Sequence, residues 1–111
     1  MTMKILRWLA LSLFAVTLIN YPNPFNPRGG EVMTFECTAT ASAGATLYIY
    51  DMAARLVTQR AFNIVSGTSQ ASWNGYSDDN ELVGNGVYLV RLFDPAGKTT
   101  LAKGKAWVIN K

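Results

Sequence analysis

Histidine is absent from this sequence, and cysteine occurs once, at Cys37. The lack of histidine removes the commonest general base and the commonest metal ligand of proteins. Ser66, Ser69 and Ser72 therefore have no histidine to activate them as nucleophiles. A single cysteine excludes an intramolecular disulfide. We expect no catalytic site and no cofactor, so the sequence does not predict an enzyme.

Charged residues are also scarce, at 15% of the chain against 50% hydrophobic residues, a balance that favours a buried core over disorder. A length of 111 residues predicts one domain. The net charge of +3 includes Lys4 and Arg7, without which eight basic residues face seven acidic ones. Nucleic-acid binding needs a clustered basic face, so this balance does not favour it.

A long hydrophobic run is missing as well. Residues 8–19 form an apolar run of twelve, too short for a membrane-spanning helix, which needs ~20 residues. The run follows a short basic region and fits the hydrophobic part of a secretory leader. We predict a leader over residues 1–17, a domain over 18–111, and export. The alternative is that residues 14–19 form the first strand, and both hold if cleavage precedes Leu18.

Short alternating stretches separated by turn signals make up the rest of the chain. They predict strands over residues 31–38, 46–51, 56–65, 69–73, 87–93 and 99–109. Turns are expected at residues 42–45, 66–67, 74–75 and 94–97, and a loop at 76–86. This pattern predicts an all-β, immunoglobulin-like antiparallel β-sandwich of about seven strands. A helix over 41–54 is the alternative, which Gly44 opposes.

Three prolines within residues 22–27 interrupt the pattern near its start. Each lacks a backbone N–H, so this segment cannot be a central strand and should be a turn-rich crossover. Asn23 and Asn26 can cap local turns with their side chains. Phe25, alone among polar residues and prolines, is expected to plug one end of the core.

The segment Asn-Tyr-Pro-Asn-Pro-Phe-Asn-Pro at residues 20–27 resembles the opening of the C-terminal sorting modules of proteins exported by the bacterial type IX secretion system. It is similar, too, to the opening of FlgD-type immunoglobulin-like domains. The strand ending at Tyr50-Asp51, the triplet at residues 73–75 and the Gly-Val-Tyr at 86–88 resemble later segments of that family. The family-motif residues, structural or used in recognition, are Tyr21, Pro22, Asn23, Pro24, Phe25, Asn26, Pro27, Tyr50, Asp51, Trp73, Gly75, Gly86, Val87 and Tyr88.

This resemblance implies a non-catalytic module that directs an exported protein through type IX secretion to the cell surface. Its partner would be a protein, either the secretion machinery or a linked cargo domain, with no nucleic acid and no stable membrane span. Its location would be the periplasm, the outer-membrane surface or the medium. The alternative is a structural immunoglobulin-like accessory domain of an extracellular or flagellar hook-cap-like assembly. The basic-then-apolar start favours the sorting module, because flagellar axial parts leave through their own channel.

Two departures from the family pattern are visible. Ala53-Ala54 stands where a glycine usually follows the Tyr-Asp strand, so that turn is expected to be less tight. The family module usually follows a large cargo domain, which this sequence does not contain, so the cargo stays open, and a further alternative is that the chain is the tail of a longer gene product.

Several further side chains have both a structural and a functional interpretation. The loop residues Asp78 to Glu81 offer hard oxygen ligands, but calcium takes ~6–8 oxygens, and we expect a solvated turn. Trp73 and Cys37 are expected in the core. Four tyrosines and Trp107 fit either an aromatic surface for a glycan or partner, or a filled sandwich, which we favour. These tyrosines are Tyr48, Tyr50, Tyr76 and Tyr88.

The candidate recognition residues lie in the last strand and are Lys103, Lys105, Trp107 and Lys111. Trp107 and Ile109 share a face with the first two lysines, so we expect a solvated first half and a packed second half. A terminal edge strand offers unpaired N–H and C=O groups, which a receptor could capture by strand addition. Alternatively, the strand completes the sheet and its lysines protect the edge from aggregation.

Overall fold

The computed structural model describes residues 15–94 and 99–111. The predicted leader over residues 1–17 lies almost wholly outside this part, and its boundary stays a prediction. Val16 and Thr17 already belong to the first strand, which runs to Tyr21. The alternative that the end of the apolar run forms the first strand is therefore correct for Val16 and Thr17.

Seven strands form two antiparallel sheets. The strands are β1 (Val16–Tyr21), β2 (Met33–Ala39), β3 (Ala43–Tyr50), β4 (Leu56–Ile64), β5 (Gly67–Trp73), β6 (Gly86–Phe93) and β7 (Thr100–Val108). The smaller sheet has the order β1-β2-β5 and the larger one β4-β3-β6-β7. A 3₁₀ turn covers Pro27–Gly29. The predicted all-β, immunoglobulin-like sandwich is confirmed. Its fourth strand, β4, pairs with β3, whereas the fourth strand of a constant-type immunoglobulin domain pairs with the fifth.

The core lies between the sheets and follows the period-two alternation of the strands. On β2, Met33, Phe35 and Cys37 are fully buried, as the sequence predicts. Leu47 and Ile49 of β3 and Val90 and Leu92 of β6 face them from the larger sheet. Burial raises the pKa of the Cys37 thiol and so disfavours the reactive thiolate.

The predicted turn at residues 42–45 is wrong in its extent, because β3 already begins at Ala43. Ala43 pairs with Ile64 and Gly44 pairs with Asn63, so the length of the neighbouring strand extends β3 through residues of low strand propensity. The loop predicted over residues 76–86 is found, apart from its last residue, since β6 begins at Gly86.

Trp73 closes one end of the core. Its ring is fully buried, 5.5 Å from the centroid of Phe25 and 5.8 Å from that of Tyr88. Its indole N–H donates to the carbonyl of Tyr76 at 2.9 Å, which satisfies the one polar atom of the ring. The core interpretation of Trp73 and the plugging role of Phe25 are therefore confirmed.

Trp73→Ala should lower the free energy of unfolding by roughly 3–5 kcal/mol, as for other buried aromatic residues. Trp107→Ala is the matched control, since that ring is 51% exposed and should cost less than about 1 kcal/mol. Urea denaturation of both variants measures the difference. Equal losses would contradict the assignment of Trp73 to the core.

Candidate functional site

Three separated segments of the family motif meet at the end of the sandwich that Trp73 closes. Phe25, Trp73 and Tyr88 come from these segments and form one cluster of rings. At Gly75 the backbone passes close to the side chain of Pro27. Gly75 has φ +84°, and a Cβ built there would lie 2.3 Å from Cβ of Pro27. The motif spacing therefore encodes a packing contact between distant parts of the chain.

Gly75→Ala should destabilise the domain by roughly 2 kcal/mol or more, because overlap with Pro27 adds to the strain of a positive φ. Gly84→Ala is the control: a Cβ there meets nothing within 4 Å. Thermal unfolding followed by circular dichroism compares the two. A Gly75 variant as stable as the Gly84 variant would show that the approach to Pro27 is not required.

The segment Asn20 to Pro27, which we call the Pro-Asn segment, runs along the free edge of β7. The amide of Phe25 donates to the carbonyl of Trp107 at 2.8 Å, and the amide of Ile109 donates to the carbonyl of Phe25 at 3.0 Å. These two bonds form a parallel β-bridge between Phe25 and Val108. One residue of the segment thus acts as a short additional strand at the sheet edge.

Asparagine side chains extend this contact along β7. The amide of Trp107 donates to Oδ1 of Asn23 at 2.8 Å, and Nδ2 of Asn23 donates to the carbonyl of Lys105 at 3.0 Å. Nδ2 of Asn20 donates to the same carbonyl at 2.7 Å. The side-chain amide of Asn23 therefore takes the place of the backbone N–H and C=O that a neighbouring strand would offer to β7.

The C-terminal residues are held at the same end of the sandwich. The amide of Lys111 donates to Oδ1 of Asn26 at 3.1 Å. Asn110 donates from its amide to Oδ1 of Asn85 at 2.7 Å and from Nδ2 to the carbonyl of Val83 at 3.0 Å. It accepts the amide of Arg28 at 3.3 Å.

The expectation that β7 offers an unpaired edge is therefore wrong over residues 105–109. The carbonyls of Lys105 and Trp107 and the amides of Trp107 and Ile109 already have partners. Strand addition over this stretch would first have to displace the Pro-Asn segment. The sequence identified Asn23 as a local turn cap, whereas its contacts are with residues more than eighty positions away.

Asn23→Ala should lower the free energy of unfolding by about 1–2 kcal/mol, because two hydrogen bonds to β7 are lost. Asn63→Ala, on the exposed face of β4, serves as the control and should be nearly neutral. Urea titrations measure both free energies. If the two substitutions cost the same, the side chain of Asn23 does not hold the strand.

The exposed face of β7 also differs from expectation. Trp107 is 51% and Ile109 42% exposed, so the predicted packed second half is wrong. Ala106 and Val108 are buried instead, since the pleat turns the even-numbered residues inward. Lys103, Lys105 and Trp107 consequently lie on one outward face, together with residues of β6 and β3.

The tyrosines divide between the core and this outer face. Tyr88 is buried and donates to the carbonyl of Gly84 at 2.7 Å, and burial, followed by the charge of Asp51, raises its pKa. Tyr48 and Tyr50 stack on the outer face with centroids 6.0 Å apart. Tyr76 is 37% exposed in the loop after β5. The preference for a filled sandwich therefore holds for Tyr88 alone.

The remaining motif residues lie at or near the surface. Tyr21 lies exposed on β1 and donates to Glu36 at 3.2 Å, and Pro22 and Pro24 are exposed beside it. Gly86 opens β6 with φ +145°, and Val87 pairs with Trp107.

Asp51 closes the turn between β3 and β4. Its carboxylate accepts the amides of Ala53 and Arg55, each at 2.9 Å, and pairs with the Arg55 side chain at 3.0 Å. The hydrogen bond from the Arg55 backbone is the main cause of the lowered pKa of Asp51. Ala54 adopts φ +64°, the left-handed conformation that a glycine there would take without strain.

The loop that contains Asp78, Asp79 and Glu81 is hydrogen-bonded to β4. Asp78 accepts the hydroxyl of Thr58 at 2.6 Å and donates its amide to the carbonyl of Val57 at 3.0 Å. Within residues 15–94 and 99–111, no group of three or more histidine, cysteine, aspartate or glutamate side chains is placed to hold a metal ion. Across the same ranges, no helix has the length and hydrophobicity to cross a membrane.

Comparison with solved structures relates this sandwich to two larger bacterial proteins. A segment of dimeric latent PorU from Porphyromonas gingivalis is 25% identical over 88% of the chain, with a TM-score of 0.70. A segment of PorZ, an essential bacterial surface component of the type IX secretion system of the same organism, is 30% identical over 84% of the chain, with a TM-score of 0.58. The chain spans about a tenth of the length of each, 10% and 11% respectively. No family model and no curated protein sequence matches the chain.

Proposed function

We propose that the chain is a non-catalytic sorting module that directs an exported protein through type IX secretion to the cell surface. The observation that carries the proposal is the likeness to PorZ, a surface component of that system, over 84% of the chain at 30% identity. The likeness to PorU supports it with a higher TM-score of 0.70. The partner is a protein of the secretion machinery, and the location is the outer-membrane surface or the medium.

The contacts of the motif residues support a role without chemistry. The rings of Phe25, Trp73 and Tyr88 pack together. Gly75 leaves space for the side chain of Pro27, and the side chain of Asn23 hydrogen-bonds to the backbone of β7. These uses build a particular end of a sandwich rather than a pocket for a reacting group. In this proposal the machinery recognises the outer surface of the folded module.

The fixed position of the C-terminal residues supports recognition of the folded form. The backbone is hydrogen-bonded to the Pro-Asn segment at Lys105, Trp107, Ile109 and Lys111. A receptor therefore meets Lys105 and Trp107 on a backbone that is already held in place, which lowers the entropy cost of ordering it on binding.

Expression of the 111-residue chain in a bacterium with type IX secretion tests the proposal. Antibody detection after surface proteolysis measures the exposed fraction, in that strain and in an isogenic strain with the system disabled. We expect protein at the surface or in the medium of the first strain and in the periplasm of the second. Equal distribution in the two strains, including retention in the cytoplasm of both, would contradict the sorting function.

A further inference from the structure

The larger sheet is unusual in its charge. Its four strands contain Arg60, Arg91, Lys103 and Lys105 and no aspartate or glutamate. Glu36 lies on β2 in the other sheet, and the remaining acidic residues lie in the connections between strands. The outer face of β6 and β7 is therefore positive without internal compensation.

Two of these cations face each other directly. Arg91 on β6 pairs in register with Lys103 on β7, and Lys105 follows two residues along the same face. Like charges at directly opposed positions destabilise a sheet. Within the described ranges no carboxylate forms an ion pair with any of the three, and the Arg91 guanidinium donates to the carbonyl of Val90 at 2.9 Å. An anionic partner would relieve this repulsion.

An apolar anchor adjoins the cations. Trp107 is 51% exposed and lines a shallow groove with Val87 and Ile109. Leu89 lies opposite Lys105, between this groove and Arg91. Tryptophan and arginine are the residues most enriched among the anchors of protein interfaces. The amide and the carbonyl of Trp107 are both hydrogen-bonded to the Pro-Asn segment, so the backbone of this anchor is held in place before a partner binds.

We propose that this basic face, formed by Leu89, Arg91, Lys103, Lys105 and Trp107, docks a protein partner that carries a complementary acidic patch. The inference rests on the proposed function and specifies the chemistry of the partner in the export machinery. A protein fits better than a lipid surface, because the cations stand in a fixed register beside the groove of Trp107, a pattern that a shaped partner can match. An anionic membrane would use only their charge, at about 1 kcal/mol each. Trp107 inserts as the apolar contact, and the cations orient the approach.

The test compares two double variants that each remove two positive charges. Lys103→Gln with Lys105→Gln alters the basic face, whereas Arg28→Gln with Arg60→Gln removes exposed cations elsewhere. In the type IX host, we expect the first pair to slow surface delivery roughly tenfold, the lower end of electrostatic steering effects. The second pair should match the wild type, and Lys103→Arg with Lys105→Arg should restore delivery. Circular dichroism of the purified chains should show the same folded state throughout.

Equal delivery of the two glutamine pairs would overturn the docking face while leaving the sorting function intact. Failure of the wild-type chain to reach the surface would instead refute the sorting function. Vesicles of phosphatidylglycerol and phosphatidylcholine in equal parts supply the second arm. We expect that the full chain does not co-sediment with these vesicles. If it does, and the variant with Lys103→Gln and Lys105→Gln does not, the basic face binds a lipid surface, and the proposal of a protein partner is wrong.

Discussion

The closure of the β7 edge by the Pro-Asn segment is the constraint on which the rest of this structure depends. A terminal edge strand leaves amides and carbonyls that invite pairing with other chains. Here Phe25 and Asn23 bond those groups from Lys105 to Ile109. Because proline has no backbone N–H, only Phe25 donates a backbone amide to this edge, and the side chains of Asn20 and Asn23 supply the other bonds.

The same segment joins the edge to the core. Phe25 bonds β7 through its backbone while its ring packs on Trp73 at 5.5 Å. Pro27 fills the space that Gly75 leaves open. The segment before β2 and the last strand are therefore held by one set of contacts, and hydrogen bonds fix the backbone that carries the outward residues of β7. This fixed backbone links the packing to the proposed recognition of a folded surface.

The alternation of apolar and polar residues predicted most of the strands and the burial of Cys37, and together with the turn signals it predicted the sandwich. The burial of Trp73 was predicted from its place at the end of a short strand, directly before a glycine turn. The contacts of Asn23 could not be predicted, because a side chain that imitates a strand looks the same in sequence as one that caps a turn. The faces of β7 were misjudged for a related reason: the small Ala106 faces the core, whereas the large Trp107 faces outward. Residue size predicts burial poorly where a strand lies at the edge of a sheet.

Native-state hydrogen exchange of the amides of Trp107 and Ile109 in the unaltered protein tests the central claim most directly. Trp107 belongs to the edge strand β7 and Ile109 directly follows it, and both carry exposed side chains, yet each amide is hydrogen-bonded to the Pro-Asn segment. If the Pro-Asn segment closes the edge, both amides should be protected to within about tenfold of a core amide such as that of Val90. Exchange of both amides at the rate of an unstructured chain would show that the edge is open and would contradict the account.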